Sequence, residues 1–306
     1  MLLPAIQLGL PLLLVIWLWV LPMRSRFGLA TQFLAVMGVM AAIWLAGIWT
    51  TVPRWTLVVL AVSAIVATAR GGRAAPAKLS FGGWLQLIAI LALLVFAGGA
   101  LGEIWRGHQP PPIPSIKLAS PLNGDDLVVA NGGSSLLLNA HQDTLDLSIL
   151  RHRLWHGQSY GVDIVAMTQF GTTSDGVRPA DPKRYAIFGR QIYAPCTGSV
   201  VTLSNDRPDL AVPAVDSKIM EGNHVRLRCN GVEVVMAHLK QGSVKVVIGQ
   251  WAKVGQVIGA VGNSGMSDEP HLHIHAQTPG TAAAPFSGRP VAMLLGHRFL
   301  ARNDRI

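Results

Sequence analysis

Residues 1–104 carry six Lys/Arg and a single acid, Glu103, so this part of the chain has little with which to face water. Four apolar stretches fill it: Leu2 to Pro22, Ala30 to Thr50, Pro53 to Ala69 and Phe81 to Leu101. Each is near the ~20 residues that carry a helix across ~30 Å of hydrocarbon, and the third is the shortest. The first stretch lacks the basic leader and the small-residue cleavage site of a secretory signal, and further apolar stretches follow at once. The expectation is therefore an all-α transmembrane bundle of four helices over residues 1–104.

Cations near span ends stay on the cytoplasmic side. Arg24 and Arg26 follow the first stretch and Arg70, Arg73 and Lys78 follow the third, whereas Arg54 stands alone between the second and third. Spans one and three then exit into the cytoplasm, and both termini lie outside. Beyond residue 104 the balance is only mildly basic. No basic stretch there is interleaved with aromatics, so nucleic acid is not expected as a partner. All ten histidines fall after residue 107, in the part placed outside the membrane.

A spacer is expected over 105–120, where Gln109-Pro110-Pro111-Pro112-Ile113-Pro114 has fixed φ angles and few amide donors. The remainder, 121–306, is long enough for one domain with its own core. Its patterns are short and β-like: Leu127-Val128-Val129, Ser134 to Leu138, Tyr160 to Met167, Gly198 to Leu203, His224 to Cys229, Val232 to Ala237 and Val244 to Ile248. A short helix is expected near Pro290 to Leu295. These elements predict an all-β antiparallel sheet, with the polar loops Thr168 to Gln191 and Ser204 to Gly222 long enough to wall a cleft.

Within Pro270-His271-Leu272-His273-Ile274-His275, residues two apart in an extended strand share a face, with backbones about 7 Å apart. Two imidazoles so placed can serve one metal ion, one as ligand and one in proton transfer. Asp163 sits between Val162 and Ile164, where an unpaired carboxylate would be costly. Cys-x-x-Cys and His-Glu-x-x-His signatures do not occur in the sequence.

The ordered series Gly161-Val162-Asp163-Ile164, Tyr193-Ala194-Pro195, Gly198-Ser199-Val200, Gly222-Asn223-His224-Val225, Ala237-His238-Leu239, Gly242-Ser243-Val244, Val254 to Gly259, Gly262-Asn263-Ser264-Gly265 and Pro270 to His273 resembles the lysostaphin/LytM-type zinc peptidases. It covers roughly residues 155 to 280, and the four apolar stretches lie outside it. The resemblance implies a β-sheet groove holding one Zn2+ and an enzyme that cleaves peptide bonds of peptidoglycan, in stem-peptide crosslinks or bridges. Carried over by position, Asp163 and His273 become metal ligands. His238 and His271 become the pair that takes a proton from the attacking water and stabilises the oxyanion. With the spans, this describes a multi-pass protein of a bacterial inner membrane with its peptidase domain in the periplasm or outside.

One position departs from the pattern. The family's first ligand is a histidine four residues before the aspartate, and Ser159 stands there. Serine is a poor zinc ligand, so a working site has to import another donor. His141, in an apolar strand-like run, is the preferred candidate. His156, seven residues before Asp163, is the second, since Gly157 could kink its strand; no import at all is the third. That last case describes a catalytically inactive domain that binds wall peptides or regulates another wall hydrolase. His224 is expected to face solvent or a sheet neighbour, and His275 to pack at the end of the groove. A lipoyl-like carrier, suggested by the Val254 to Gly259 hairpin, is disfavoured because Gly259 to Pro270 holds no lysine. Cys196 and Cys229 could form a disulfide outside the cytoplasm or remain separate buried thiols.

Overall fold

The structure, a computed structural model, describes residues 2–71 and 81–306. The chain divides into two compact units, Met1–Trp105 and Arg106–Ile306.

In the first unit the apolar stretches form helices α1 (Leu2–Val20), α2 (Arg26–Ala46), α3 (Thr56–Gly71) and α4 (Phe81–Gly107). Helix α2 begins where the Ser25 hydroxyl accepts from Gly28 N, satisfying one of the donors a helix start leaves open. Buried Gln32 closes the α1–α2 turn: its Oε1 accepts from Met23 N at 2.9 Å and its Nε2 donates to Leu21 O at 3.2 Å. Among the described residues two helical stretches, Arg26–Ala46 and Gly83–Gly107, are long and apolar enough to cross a membrane; Ile6–Val20 and Thr56–Gly71 are shorter apolar helices. Ile88, Leu91, Val95 and Phe96 of α4 remain exposed, a surface that water does not favour. Arg73 and Lys78, used above for orientation, lie outside the described residues.

The second unit is built on strands β1 (Ser115–Leu118), β2 (Leu127–Asn131), β3 (Val162–Ala166), β4 (Gln191–Tyr193), β5 (Gly198–Ser204), β6 (Asn223–Cys229), β7 (Val232–Leu239), β8 (Trp251–Ala252), β9 (Val257–Ala260), β10 (Leu272–Gln277) and β11 (Pro290–Leu295). Nine of them form one sheet in the order β1-β11-β10-β7-β6-β5-β8, with β3 also on β10 and β2 on β3; β4 and β9 pair separately. The sheet is mixed rather than wholly antiparallel, because β1 runs parallel to β11. Pro290 to Leu295 is thus a strand and not a helix. Ser134 to Leu138 and Val244 to Ile248, expected as strands, are turn and irregular backbone. Strand β1 falls within the stretch read as spacer.

Alternation sorts the sheet's two faces. Val162, Ile164, Val225, Leu227, Val234, Met236, Leu272 and Ile274 point into one apolar core, while Asp163, Ala237, His273 and His275 stand on the other face. Burying each large aliphatic side chain contributes about 1.5–3 kcal/mol. That apolar alternation fixes the register which sets Asp163 opposite His273.

Cys196 and Cys229 are joined in a disulfide with Cα atoms 6.2 Å apart, tying the turn before β5 to the end of β6. Closing a loop of 33 residues should stabilise the domain by about 3–4 kcal/mol through the unfolded chain. Replacing both cysteines by serine is expected to lower the denaturation midpoint of the full chain in detergent accordingly. An unchanged midpoint would assign the bond no structural weight.

Candidate metal centre

Strand β10 is the spine of the site. On one side its His273 pairs in register with Asp163 of β3, and on the other with Ala237 of β7. His273 Nδ1 lies 2.8 Å from Asp163 Oδ1. His141 reaches the same carboxylate from a separate segment, its Nε2 3.5 Å from Asp163 Oδ2. The ligand-type atoms of His141, Asp163 and His273 all fall within 4.8 Å of one another. His271, one residue before β10, brings its Nε2 to 3.6 Å from Asp163 Oδ1.

His141 does not lie on a strand as expected. It is the second residue of a 3-10 turn, Ala140–Leu145, begun by Asn139, whose side-chain oxygen accepts from His141 N. Such local side-chain bonds offer the backbone an alternative to a ladder. Asn139 Oδ1 is also 2.9 Å from His141 Nδ1, which commits that nitrogen as a donor and leaves Nε2 for the site. Asn131, at the end of β2, donates to Asp163 Oδ2 at 3.3 Å, and Arg302 donates to Asn131 Oδ1 at 3.1 Å. Gly161 is required by this packing, since a Cβ there would come within 2.8 Å of His273 Cε1.

His238 reaches the site through a defect in the ladder. Asn223 pairs with Leu239 and His224 with Ala237, so His238 is the unpaired residue of a bulge, with φ at 63°. In an unbroken strand the residue after Ala237 would point to the core face, opposite to Ala237 itself; the left-handed backbone turns it back. Its ring lies 4.7 Å from that of His271 and 5.9 Å from that of His273. His238 Nδ1 is 2.9 Å from Ser264 O, and His271 Nδ1 is 2.8 Å from Glu269 O. Both rings therefore donate from Nδ1 to a carbonyl and keep Nε2 for proton exchange. Ser264 O is available because the Gly222 and Gly265 backbones touch, where a Cβ on either would come within 2.4 Å of the other strand.

Burial pushes the His141 imidazole down to about 4, against the opposing pull of Asp163. Burial together with His271 and His273 holds His238 well below its ordinary range. For Asp163 burial acts upward, but His141, His271 and His273 together hold the carboxyl well below the usual range. An ionised Asp163 carboxylate and an unprotonated His141 are the protonation states that metal ligands need.

Ser159 is fully buried, its hydroxyl 2.8 Å from Thr144 Oγ1 and 2.7 Å from His156 O. With Thr144 Oγ1 donating to His141 O, the single Ser159 hydrogen serves either Thr144 Oγ1 or His156 O, and the serine packs against the turn that carries His141. His156 uses Nδ1 on Thr144 O at 3.1 Å and is not among the grouped donors. His224 packs edge-on to Phe286, with Nδ1 on Gly222 O. His275 is more closely involved than its place at the groove end suggested: its Nδ1 is 2.9 Å from His273 Nε2. The i, i+2 spacing carried that signal, and the Asn139-x-His141 pattern carried the one for Asn139.

A groove of about 350 Å3 opens over these residues. Trp155 and Gln158 line it along with Met220, Glu221 and Met266. Burial pushes the Glu221 carboxyl up to about 8, so it meets the groove mostly protonated at neutral pH. One carboxylate and several imidazoles converging beside an open groove form the nitrogen–oxygen donor set that suits Zn2+, with access left from solvent.

Residues 184–285 match the model of peptidase family M23, a span that includes His238, His271 and His273 and begins after His141 and Asp163. Among solved structures, a zinc-containing peptidase from Vibrio cholerae is 24% identical over 35% of this chain, with a TM-score of 0.25. This chain spans only 26% of that protein's length. The catalytic domain of the antimicrobial peptidase lysostaphin from Staphylococcus simulans is 22% identical over 41% of this chain and 71% of its own, with a TM-score of 0.27. No curated protein matches the chain.

Proposed function

Starting from the peptidase family M23 domain that this chain carries, we propose that it is a membrane-anchored zinc metalloendopeptidase that hydrolyses peptide bonds of peptidoglycan. The observation that carries this reading is the convergence of His141, Asp163 and His273 within 4.8 Å, with His238 and His271 beside them. His141, Asp163 and His273 would hold the ion, which supplies Lewis-acid polarisation of the scissile carbonyl and lowers the pKa of a water to about 7.

The chain's own residues do the rest. His238 and His271, their Nδ1 atoms fixed on Ser264 O and Glu269 O, present Nε2 toward the groove. One of them accepts the proton of the attacking water at Nε2, and the ring that has taken it up then donates from that atom to the oxygen on which charge develops. His275 sets the His273 ring by bonding its far nitrogen, which keeps Nδ1 toward Asp163. The groove orients an extended peptide, and its Met220 and Met266 side chains exclude water from part of it.

All four apolar helices serve as spans in this reading, α1 and α3 being the short ones, with both termini outside a bacterial inner membrane. The disulfide supports an oxidising compartment for the domain. Membrane lipid and wall stem or bridge peptides are then its partners.

The competing reading, a wall-peptide binder without activity, rests on Ser159 in place of the family's histidine. His141 at the same carboxylate supports the enzyme instead. Zinc-replete full-length protein in detergent, incubated with purified peptidoglycan, is expected to create new peptide amino termini in it, and His273→Ala is expected to create none. Binding without cleavage by the zinc-replete protein would establish the competing reading.

A further inference from the structure

The stretch 136–154, which carries His141, leaves an unusual amount of apolar side chain in the open. Leu136 is 62% exposed, Leu150 72%, and Leu145, Leu147, Ile149 and Leu154 between 39% and 47%. So many exposed large apolar side chains within one short segment mark a contact with something other than water.

Its position says what that is. Ser134 N donates to Gly107 O at 2.8 Å, and the Ser134 hydroxyl is 3.1 Å from Arg106 O and 2.7 Å from Gln109 O. Gly107 is the last residue of α4, whose Gly83–Gly107 stretch is long and apolar enough to cross a membrane. A helix that crosses a bilayer ends at its surface, where tryptophan is favoured, and Trp105 is 67% exposed at this end. Leu136 is two residues from Ser134, within about 7 Å of chain. Arg153, in the short helix α5 (Leu150–Leu154), suits anionic headgroups, while Asp146 is engaged by Ser148, and Asp143 and Arg151 both line the groove.

We propose that the stretch 136–154 lies on the phospholipid surface at which α4 ends, its leucines and Ile149 in the boundary between headgroups and acyl chains. The bilayer then backs the segment that supplies His141.

The test uses the full chain in liposomes of phosphatidylethanolamine and phosphatidylglycerol, with Leu150→Cys carrying a polarity-sensitive fluorophore and Val247→Cys as the control. Val247 is 67% exposed elsewhere on the domain, and the native cysteines are protected by their disulfide. Acyl-chain nitroxide lipids are expected to quench the label at 150 several-fold more than the label at 247, with blue-shifted emission at 150 only. Equal, weak quenching at both positions would overturn the proposal. So would a blue shift at 150 that lipid does not quench and that grows with protein density, which would assign the patch to a second copy. Leu154→Cys provides an independent reporter should the first variant fail to fold, and resistance to alkaline extraction confirms that the chain under test is integral to the bilayer.

Discussion

Replacing His141 by alanine is expected to strip zinc from the protein as thoroughly as Asp163→Ala or His273→Ala, while His156→Ala leaves the metal in place. The reasoning is geometric. His141 Nε2 stands 3.5 Å from Asp163 Oδ2 with its other nitrogen committed to Asn139, whereas His156 spends Nδ1 on Thr144 O. Loss of an outer partner typically costs about 10–100-fold in metal affinity, and loss of one of three protein donors should cost more. Metal analysis of the four purified variants after dialysis, compared with the parent chain, measures this directly. Zinc retained by His141→Ala and lost by His156→Ala would move the third donor to the other histidine. Zinc retained by all four would remove the site altogether.

Much of this centre is visible in the linear order of residues, and the reasons differ by residue. His271, His273 and Asp163 are legible because strand period decides which side chains share a face. The apolar flanks Val162, Ile164, Leu272 and Ile274 pin that register. Ser159, where the resemblance would put a histidine, stands out by comparison of spacings. The conformation that brings His141 in is not, since an Asn-started 3-10 turn and a strand can both be written over Asn139-Ala140-His141, and tertiary contacts from Asn131 and Thr144 decide between them. The inward turn of His238 is equally hidden, because a single residue at φ 63° has no compositional mark when it is not glycine. Pro290 to Leu295 reads as a helix or a strand locally, and its pairing with β1, far away in the chain, settles the matter. At the N-terminus hydropathy located all four helices, while length separates two of them, within α2 and α4, from the shorter pair.

His238→Ala and His271→Ala are expected to behave unlike the donor variants: turnover on peptidoglycan should fall by about 10²–10⁴-fold, with zinc content close to that of the parent chain. Each ring is fastened through Nδ1 to a backbone carbonyl, at 2.9 Å for His238 and 2.8 Å for His271, so its removal leaves no metal-facing strand out of register. The two rings are 4.7 Å apart and act on the same reacting water and carbonyl, so their losses should be far from additive. The double variant should then be little slower than the worse single one. Turnover and bound zinc measured on the same preparations separate the roles: if all of the site's histidine variants lose zinc alike, His238 and His271 are donors and not proton carriers. If turnover survives in both single variants, the proton must travel by another route, and the buried pair would be a packing feature beneath the groove.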